Sequence, residues 1–239
     1  MPGVDTSTSV GEWVAAHPTT ARVFEDLQID YCCGGNKPLA QVCEAKGLDL
    51  DTIASQLSDA INIPDDSRQN WTESALGDLC DHIEATHHAF LRTELPRLTQ
   101  LVDKVAEVHG ASHPELHELR TAFGELREEL EPHMFKEEQI LFPAIRLLED
   151  SATSPQFPFG TVANPIRMME HEHDNAGGGL KRIRELTADF RVPDDACTTW
   201  RVMLDGLKNL EADLHQHIHK ENNILFPKAR HLERAEPSA

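Results

Sequence analysis

Two segments of this chain carry a histidine and a glutamate four residues apart, His133-x-x-x-Glu137 and His217-x-x-x-Glu221. On a helix, positions i and i+4 share a face, so an imidazole and a carboxylate at this spacing can address one metal ion. The same spacing also occurs in solvated surface pairs. What separates the two readings is whether the pair lies on an apolar seam. Leu116, Leu119, Phe123, Leu126 and Leu130 step by threes and fours along one face, and the next steps are His133 and Glu137, then Ile140 and Ala144. Met203, Leu207, Leu210 and Leu214 lead in the same way to His217, Glu221 and Ile224. Ile166 and Met169 lead to His173, followed by Ala176, Leu180 and Ile183, and His88 continues as Leu91, Leu95, Leu98, Val102 and Val105. Polar residues thus interrupt four apolar seams.

Burying that many imidazoles and carboxylates unpaired costs several kcal/mol, and a metal centre is what offsets it. The seams select His217 over His215 and His219, His173 over His171, and His88 over His87. Those off the seam, with His82, His109, His113, His117 and His231, read as surface residues. Four imidazoles divide as two per ion, and two bridging glutamates complete four protein ligands each. An oxo or hydroxo bridge would be the fifth ligand, leaving one position for a small molecule. Mixed imidazole and carboxylate ligation suits iron; residue types alone leave manganese and zinc open.

The elements that must position these residues are helices. Segments at roughly 73–107, 114–149, 164–190 and 195–233 are separated by Gly110–Pro114, by a loop at 151–165 with three prolines, and by Val192-Pro193. Pro96, Pro132 and Pro143 fall inside helices and are expected to kink them. Residues 133–149 align with 217–233 at an offset of 84, with ten of 17 positions identical. A repeated helical hairpin predicts a pseudo-two-fold antiparallel four-helix bundle over 73–233, with its site near the axis. Ahead of it, residues 1–62 read as a small helical domain (Val10–Ala16, Thr19–Leu27, Leu39–Lys46, Asp51–Ile61), joined through a polar linker at 63–72. The expected fold class is therefore all-α, and the low aromatic content of 5% with a single Tyr agrees.

A formal net charge of −19 repels phosphate backbones and anionic lipid, which excludes nucleic acid and membranes as primary partners. Residues 1–10 lack the basic and apolar regions of a secretory signal, no apolar run reaches 18 residues, and five cysteines are an odd number. A reducing cytoplasm is the expected location. Cys43, Cys80 and Cys197 read as small packing residues. Cys32 and Cys33 precede Asn36-Lys37-Pro38, which looks like a helix start, so their thiols are expected to have lowered pKa values and to be reactive.

The sequence resembles the hemerythrin-like di-iron proteins, and more closely the Repair of Iron Centers family. The resemblance rests on Asp30-Tyr31-Cys32-Cys33-Gly34-Gly35, similar to the paired-cysteine motif of the ScdA-type domain. It rests also on His133-Met-Phe-Lys-Glu137-Glu-Gln-Ile-Leu-Phe-Pro143, Glu172-His173-Asp174 and Glu221-Asn-Asn-Ile-Leu-Phe-Pro227. The resemblance implies two irons on His88, His133, Glu137, His173, His217 and Glu221, with glutamates at Glu129 and Glu172 close to them. It implies restoration of iron–sulfur clusters damaged by nitric oxide or peroxide, using iron from a labile centre. Damaged iron–sulfur proteins and small gases would be the partners, acting on a monomer or homodimer. Reduction of nitric oxide at the irons and gas binding or sensing are the alternatives, and Cys32 and Cys33 would serve partner contact, electron relay or iron transfer.

Overall fold

The computed structural model describes residues 5–62, 70–151 and 155–235. The expected linker at 63–72 lies mostly outside them. Among the described residues there are helices and turns but no strand.

The N-terminal domain holds α1 (Val10–Ala16), α2 (Ala21–Asp26), α3 (Leu39–Lys46) and α4 (Leu50–Ile61). Their ends follow local chemistry. Ser9 and Glu12 form a capping box at α1, Asp49 accepts from the Thr52 amide at the start of α4, and Gly47 ends α3 in the left-handed region at φ +65°.

The first long run is α5 (Leu76–Ile83), a π turn at Glu84–His88 and α6 (Ala89–His109). The second is α7 (Glu115–Lys136), a π turn at Glu137–Leu141 and α8 (Phe142–Asp150). The third is α9 (Ala163–Leu186). The fourth is α10 (Thr198–Lys220), a π turn at Glu221–Leu225 and α11 (Phe226–Ala235). Helix α6 packs against α7 and α10, α7 against α9, and α8 against α5 and α11. Bonds from Arg182 to Glu118 and between His173 and His133 run α9 antiparallel to α7. Those from Arg184 to Glu211 and from His173 to Asn222 do the same for α9 and the fourth run.

The repeat fixes both hairpins by one device. Glu149 accepts from the amides of Leu76 (2.7 Å) and Gly77 (2.8 Å) at the start of α5. Its counterpart Glu233 accepts from the Val162 amide at 2.9 Å and from the Thr161 hydroxyl beside α9. Each carboxylate satisfies donors that a helix N-terminus leaves free.

In all three π turns the closing bond spans five residues: Ala89 N–H to Glu84 O, Phe142 N–H to Glu137 O, and Phe226 N–H to Glu221 O. Each turn inserts one residue and so rotates the helix beyond it by about 100°. This corrects the expected seam. Ile140 points outward, 44% exposed, and Leu141, Ile145 and Leu148 fill the core beyond Glu137. The polar layer separates two apolar clusters, one around Leu98, Phe123, Leu180 and Leu210, the other around Leu79, Phe142, Met169 and Phe226.

The third helix ends at Leu186, four residues before its expected end, because Ala188, Asp189 and Phe190 all take positive φ (48°, 62° and 56°). Arg184 clamps that turn. Its guanidinium bonds buried Glu211 and Asp189 and lies 5.0 Å from the Phe190 ring centroid. Arg184→Ala should therefore cost about 3–5 kcal/mol in urea unfolding, because Glu211 is left buried without its counter-charge. Adding Glu211→Leu should restore most of it; a loss under about 1 kcal/mol would show that the pair does not hold the turn.

Candidate metal centre

Five of the six seam residues sit at or beside the π turns. His88 closes the first, Glu137 and Glu221 open the others, and His133 and His217 lie one helical turn before them. His173 comes from the middle of α9. All six are buried, with Glu137 and Glu221 at 0% exposure. Their donor atoms form two groups within 4.8 Å, His88 with His217 and His133 with His173, and both glutamates belong to both groups.

Each carboxylate spans the groups. Glu137 turns Oε2 to His88 Nε2 (3.2 Å) and Oε1 to His133 Nε2 (3.1 Å); Glu221 turns Oε2 to His173 Nε2 (3.0 Å) and Oε1 to His217 Nε2 (3.4 Å). Among the described residues, no aligned hydrogen bond satisfies the oxygens of either glutamate, His88 Nε2 or either nitrogen of His217. The Nε2 atoms of His133 and His173 face each other at 3.2 Å. Buried donors that point at one another and not at hydrogen-bond partners are the arrangement a metal ion requires.

Electrostatics agree. Burial and the second glutamate push Glu137 upward, yet His133 and His88 outweigh them and hold its carboxyl below the usual range. Burial likewise opposes ionisation of Glu221, and the close approach of His173 reverses the direction. Burial drives His217 far below the ordinary imidazole range, leaving the neutral form that ligates. Burial also disfavours charge on His133, but Glu137 and Glu172 raise it to about 10.

Residues behind the ring orient three of the imidazoles. His88 Nδ1 lies 2.6 Å from Glu138, which Arg92 pairs; His133 Nδ1 lies 2.9 Å from Glu172, which Lys136 pairs; His173 Nδ1 lies 2.8 Å from Asn222 Oδ1. His217 has no such partner among the described residues, and the ring of His87 stacks on it at 5.3 Å and 1°. His87 is buried between Asp213 (2.9 Å) and the Lys220 amine (2.7 Å), which also meets His82. Burial lowers Lys220 to about 8 and His82 to about 4.

The expectation that the off-seam histidines are surface residues is therefore wrong for His87 and His219, both buried. His219 packs edge-on to Tyr31, and burial lowers it to about 4. Sequence reasoning also missed Glu138 and Asn222, although the repeat marks them: each comes directly after a seam glutamate.

Glu172 reaches His133, as described. Glu129 is exposed and makes no bond to the ring; it lines a cavity of about 10 Å3 with Glu172, His133, His173 and His217, about the size of one water molecule.

Cys32 and Cys33 lie against the bundle, and the helix expected after them starts at Leu39 with Pro38 as its N-cap. Cys33 Sγ is 3.5 Å from the His173 carbonyl, and Asn223 Nδ2 donates to the carbonyls of Tyr31 (3.2 Å) and Cys32 (3.1 Å). The expected lowering of the thiol pKa is overturned for Cys32. The Cys33 thiol, burial and the Asp30 carboxylate all raise it. Cys197, expected in the packing, is exposed beside His109 Nε2 at 3.3 Å, whereas Cys43 and Cys80 are buried.

Residues 80–229 match the hemerythrin HHE cation binding domain, and residues 6–61 match ScdA_N, described as a domain of unknown function. The chain is 38% identical over 221 residues to the iron-sulfur cluster repair protein YtfE of Pectobacterium carotovorum, covering 92% of this chain and 96% of the relative. The proteins of the same name from Enterobacter sp. (39% over 220 residues, 92% and 95% covered) and Yersinia pseudotuberculosis (37% over 221 residues, 92% and 96% covered) are similarly related.

Adding ferrous iron to metal-free protein should raise its melting temperature, since an ion that binds only the folded chain relieves two buried carboxylates. Glu137→Ala should remove most of the rise, and Gln139→Ala on the exposed face should leave it intact. Equal shifts in the two variants, measured by calorimetry, would place the ion elsewhere.

Proposed function

This chain belongs to the iron–sulfur cluster repair family built on a hemerythrin HHE cation binding domain, and from that premise we propose that it holds two irons and gives up iron to rebuild damaged clusters in other proteins. His88 and His217 would hold one ion, His133 and His173 the other, with Glu137 and Glu221 shared. The observation that carries this reading is the direction of the carboxylates: each turns one oxygen to each histidine pair. Four protein ligands per ion leave coordination incomplete, which suits cargo that must leave.

The chain's own residues make the two histidines of each pair unequal. Carboxylates back His88 and His133, raising their basicity, whereas His173 has a neutral amide behind it and His217 only a stacked ring. Glu172 and Glu129 line the cavity beside the His133–His173 half, so a cation on that side meets acidic groups first. The partners would be proteins with damaged iron–sulfur clusters, in the cytoplasm; no helix among the described residues is long and apolar enough to cross a membrane.

A second reading, binding or reduction of nitric oxide, draws on the same cavity, whose size suits a small gas. When bound, the irons would supply the open coordination positions for it.

Purified protein should contain about two irons per chain, and Glu137→Ala or Glu221→Ala should lose both together. Incubation with an enzyme whose cluster nitric oxide has destroyed should restore its activity in proportion to iron lost from this chain. Sustained nitrous oxide formation with an electron donor, without iron loss, would favour the gas reading and reject the donor role. One iron per chain, or zinc in its place, would reject the paired site.

A further inference from the structure

We propose that Asp30, Cys32 and Cys33 form a third metal site, which takes one thiophilic divalent ion such as ferrous iron or zinc at the joint between the N-terminal domain and the bundle. Their donor atoms lie within 4.8 Å of one another. The two sulfurs are 3.8 Å apart, and Cys32 Sγ is 3.3 Å from Asp30 Oδ1. Two thiolates on one tetrahedral ion, at a metal–sulfur length of about 2.3 Å, stand about 3.8 Å apart, so the sulfurs need not move to share it. Two sulfurs with a carboxylate suit zinc or ferrous iron better than magnesium or calcium.

The loop is built to hold this shape without an ion. Asp30 Oδ1 accepts from the amides of Cys32 (3.0 Å) and Cys33 (2.9 Å), and Oδ2 accepts from Gly34 (2.8 Å), which leaves Oδ2 a free lone pair. The Gly35 carbonyl accepts from the Gly11 amide at 2.7 Å, and any Cβ on Gly35 would stand 2.3 Å from the Tyr31 carbonyl oxygen. From the bundle side Asn223 holds the carbonyls of Tyr31 and Cys32. Such constraint on a chelating triad is what lowers the entropy lost on binding.

Access is one-sided. Asp30 is exposed, Cys33 half-buried and Cys32 buried, so an ion enters from solvent past the carboxylate. On the other side Cys33 Sγ contacts the carbonyl of His173. Binding releases two thiol protons to water and transfers no electrons; the fourth position is left for water or a ligand from another protein. The place of this site as a waypoint for departing iron rests on the donor reading, whereas its existence does not.

Cobalt(II) tests it, because sulfur-to-cobalt charge-transfer absorption arises only where thiolate ligates, and the six bundle ligands contain no sulfur. Full-length protein, metal-free or iron-loaded, should develop that absorption and saturate it at one cobalt per chain, with the iron content of the loaded form unchanged. Cys33→Ser, at a half-buried position, should weaken cobalt binding at least tenfold, and Cys32→Ser likewise, whereas Cys43→Ser should not. Asp30→Asn should weaken it with both sulfurs retained. No sulfur-to-cobalt absorption, or absorption unchanged in Cys33→Ser with native circular dichroism, overturns the site. Unchanged affinity in Asp30→Asn overturns the three-ligand set proposed here. An iron content below two would count against the paired centre and leave the cobalt result standing.

Discussion

Glu137 and Glu221 carry like charges into a fully buried layer between two apolar clusters, where their partners within ion-pair distance are histidines. Two carboxylates cannot stay ionised there unless positive charge joins them, and protonating both would forfeit the charge pairing with His133 and His173. The four imidazoles are the partners the chain supplies, and a metal ion is the partner it is shaped for. The π turns belong to the same constraint. They place His88, Glu137 and Glu221 at the level of the ring and restart each helix in a phase that returns leucines and phenylalanines to the core just beyond it. Pro143 and Pro227 come at the first turn of α8 and α11, where a missing amide costs little.

The repeat builds two half-sites and then departs from symmetry where the surroundings differ. Lys136 pairs Glu172 behind His133; at the matching positions Lys220 meets His87, whose ring backs His217. His133 is thus backed by a carboxylate and its repeat counterpart His217 by a stacked ring. The outer surfaces differ too. Phe135 is 63% exposed, whereas its counterpart His219 is 2% exposed, because Tyr31 of the N-terminal domain packs on it. Ile140 and Ile224 differ in the same way, the latter buried in a cluster against which Ala15 of α1 packs.

That docking brings the cysteine loop to the centre. Asn222 and Asn223, adjacent on the third π turn, face in both directions: the first accepts from His173, and the second holds the loop through two carbonyls. A thiol pair that looks remote in the chain is thus one residue's backbone away from a seam histidine. The Cys33 thiol, burial and the Asp30 carboxylate hold Cys32 protonated, so it is not an activated nucleophile.

Helical period and the repeat were enough to read the all-α class and to single out six seam residues whose donor atoms the fold brings together. Burying charge on an apolar seam violates a rule that ordinary sequences obey, and the violation is visible residue by residue. The same reasoning failed where position depends on what packs from outside. It put Ile140 in the core because nothing in the letters announces an inserted π residue, and it put His87 and His219 on the surface because another element covers each of them. It expected α9 to run to residue 190, where a salt-bridged turn of left-handed residues ends it. It expected a lowered thiol pKa from the helix start beyond the cysteines, whereas the Cys33 thiol, burial and Asp30 raise that of Cys32. Sequence determines which face of a helix is apolar, since that is a property of one segment; the neighbour that meets the face, and hence burial, hydrogen-bond partner and charge state, comes only from packing between segments distant in the chain.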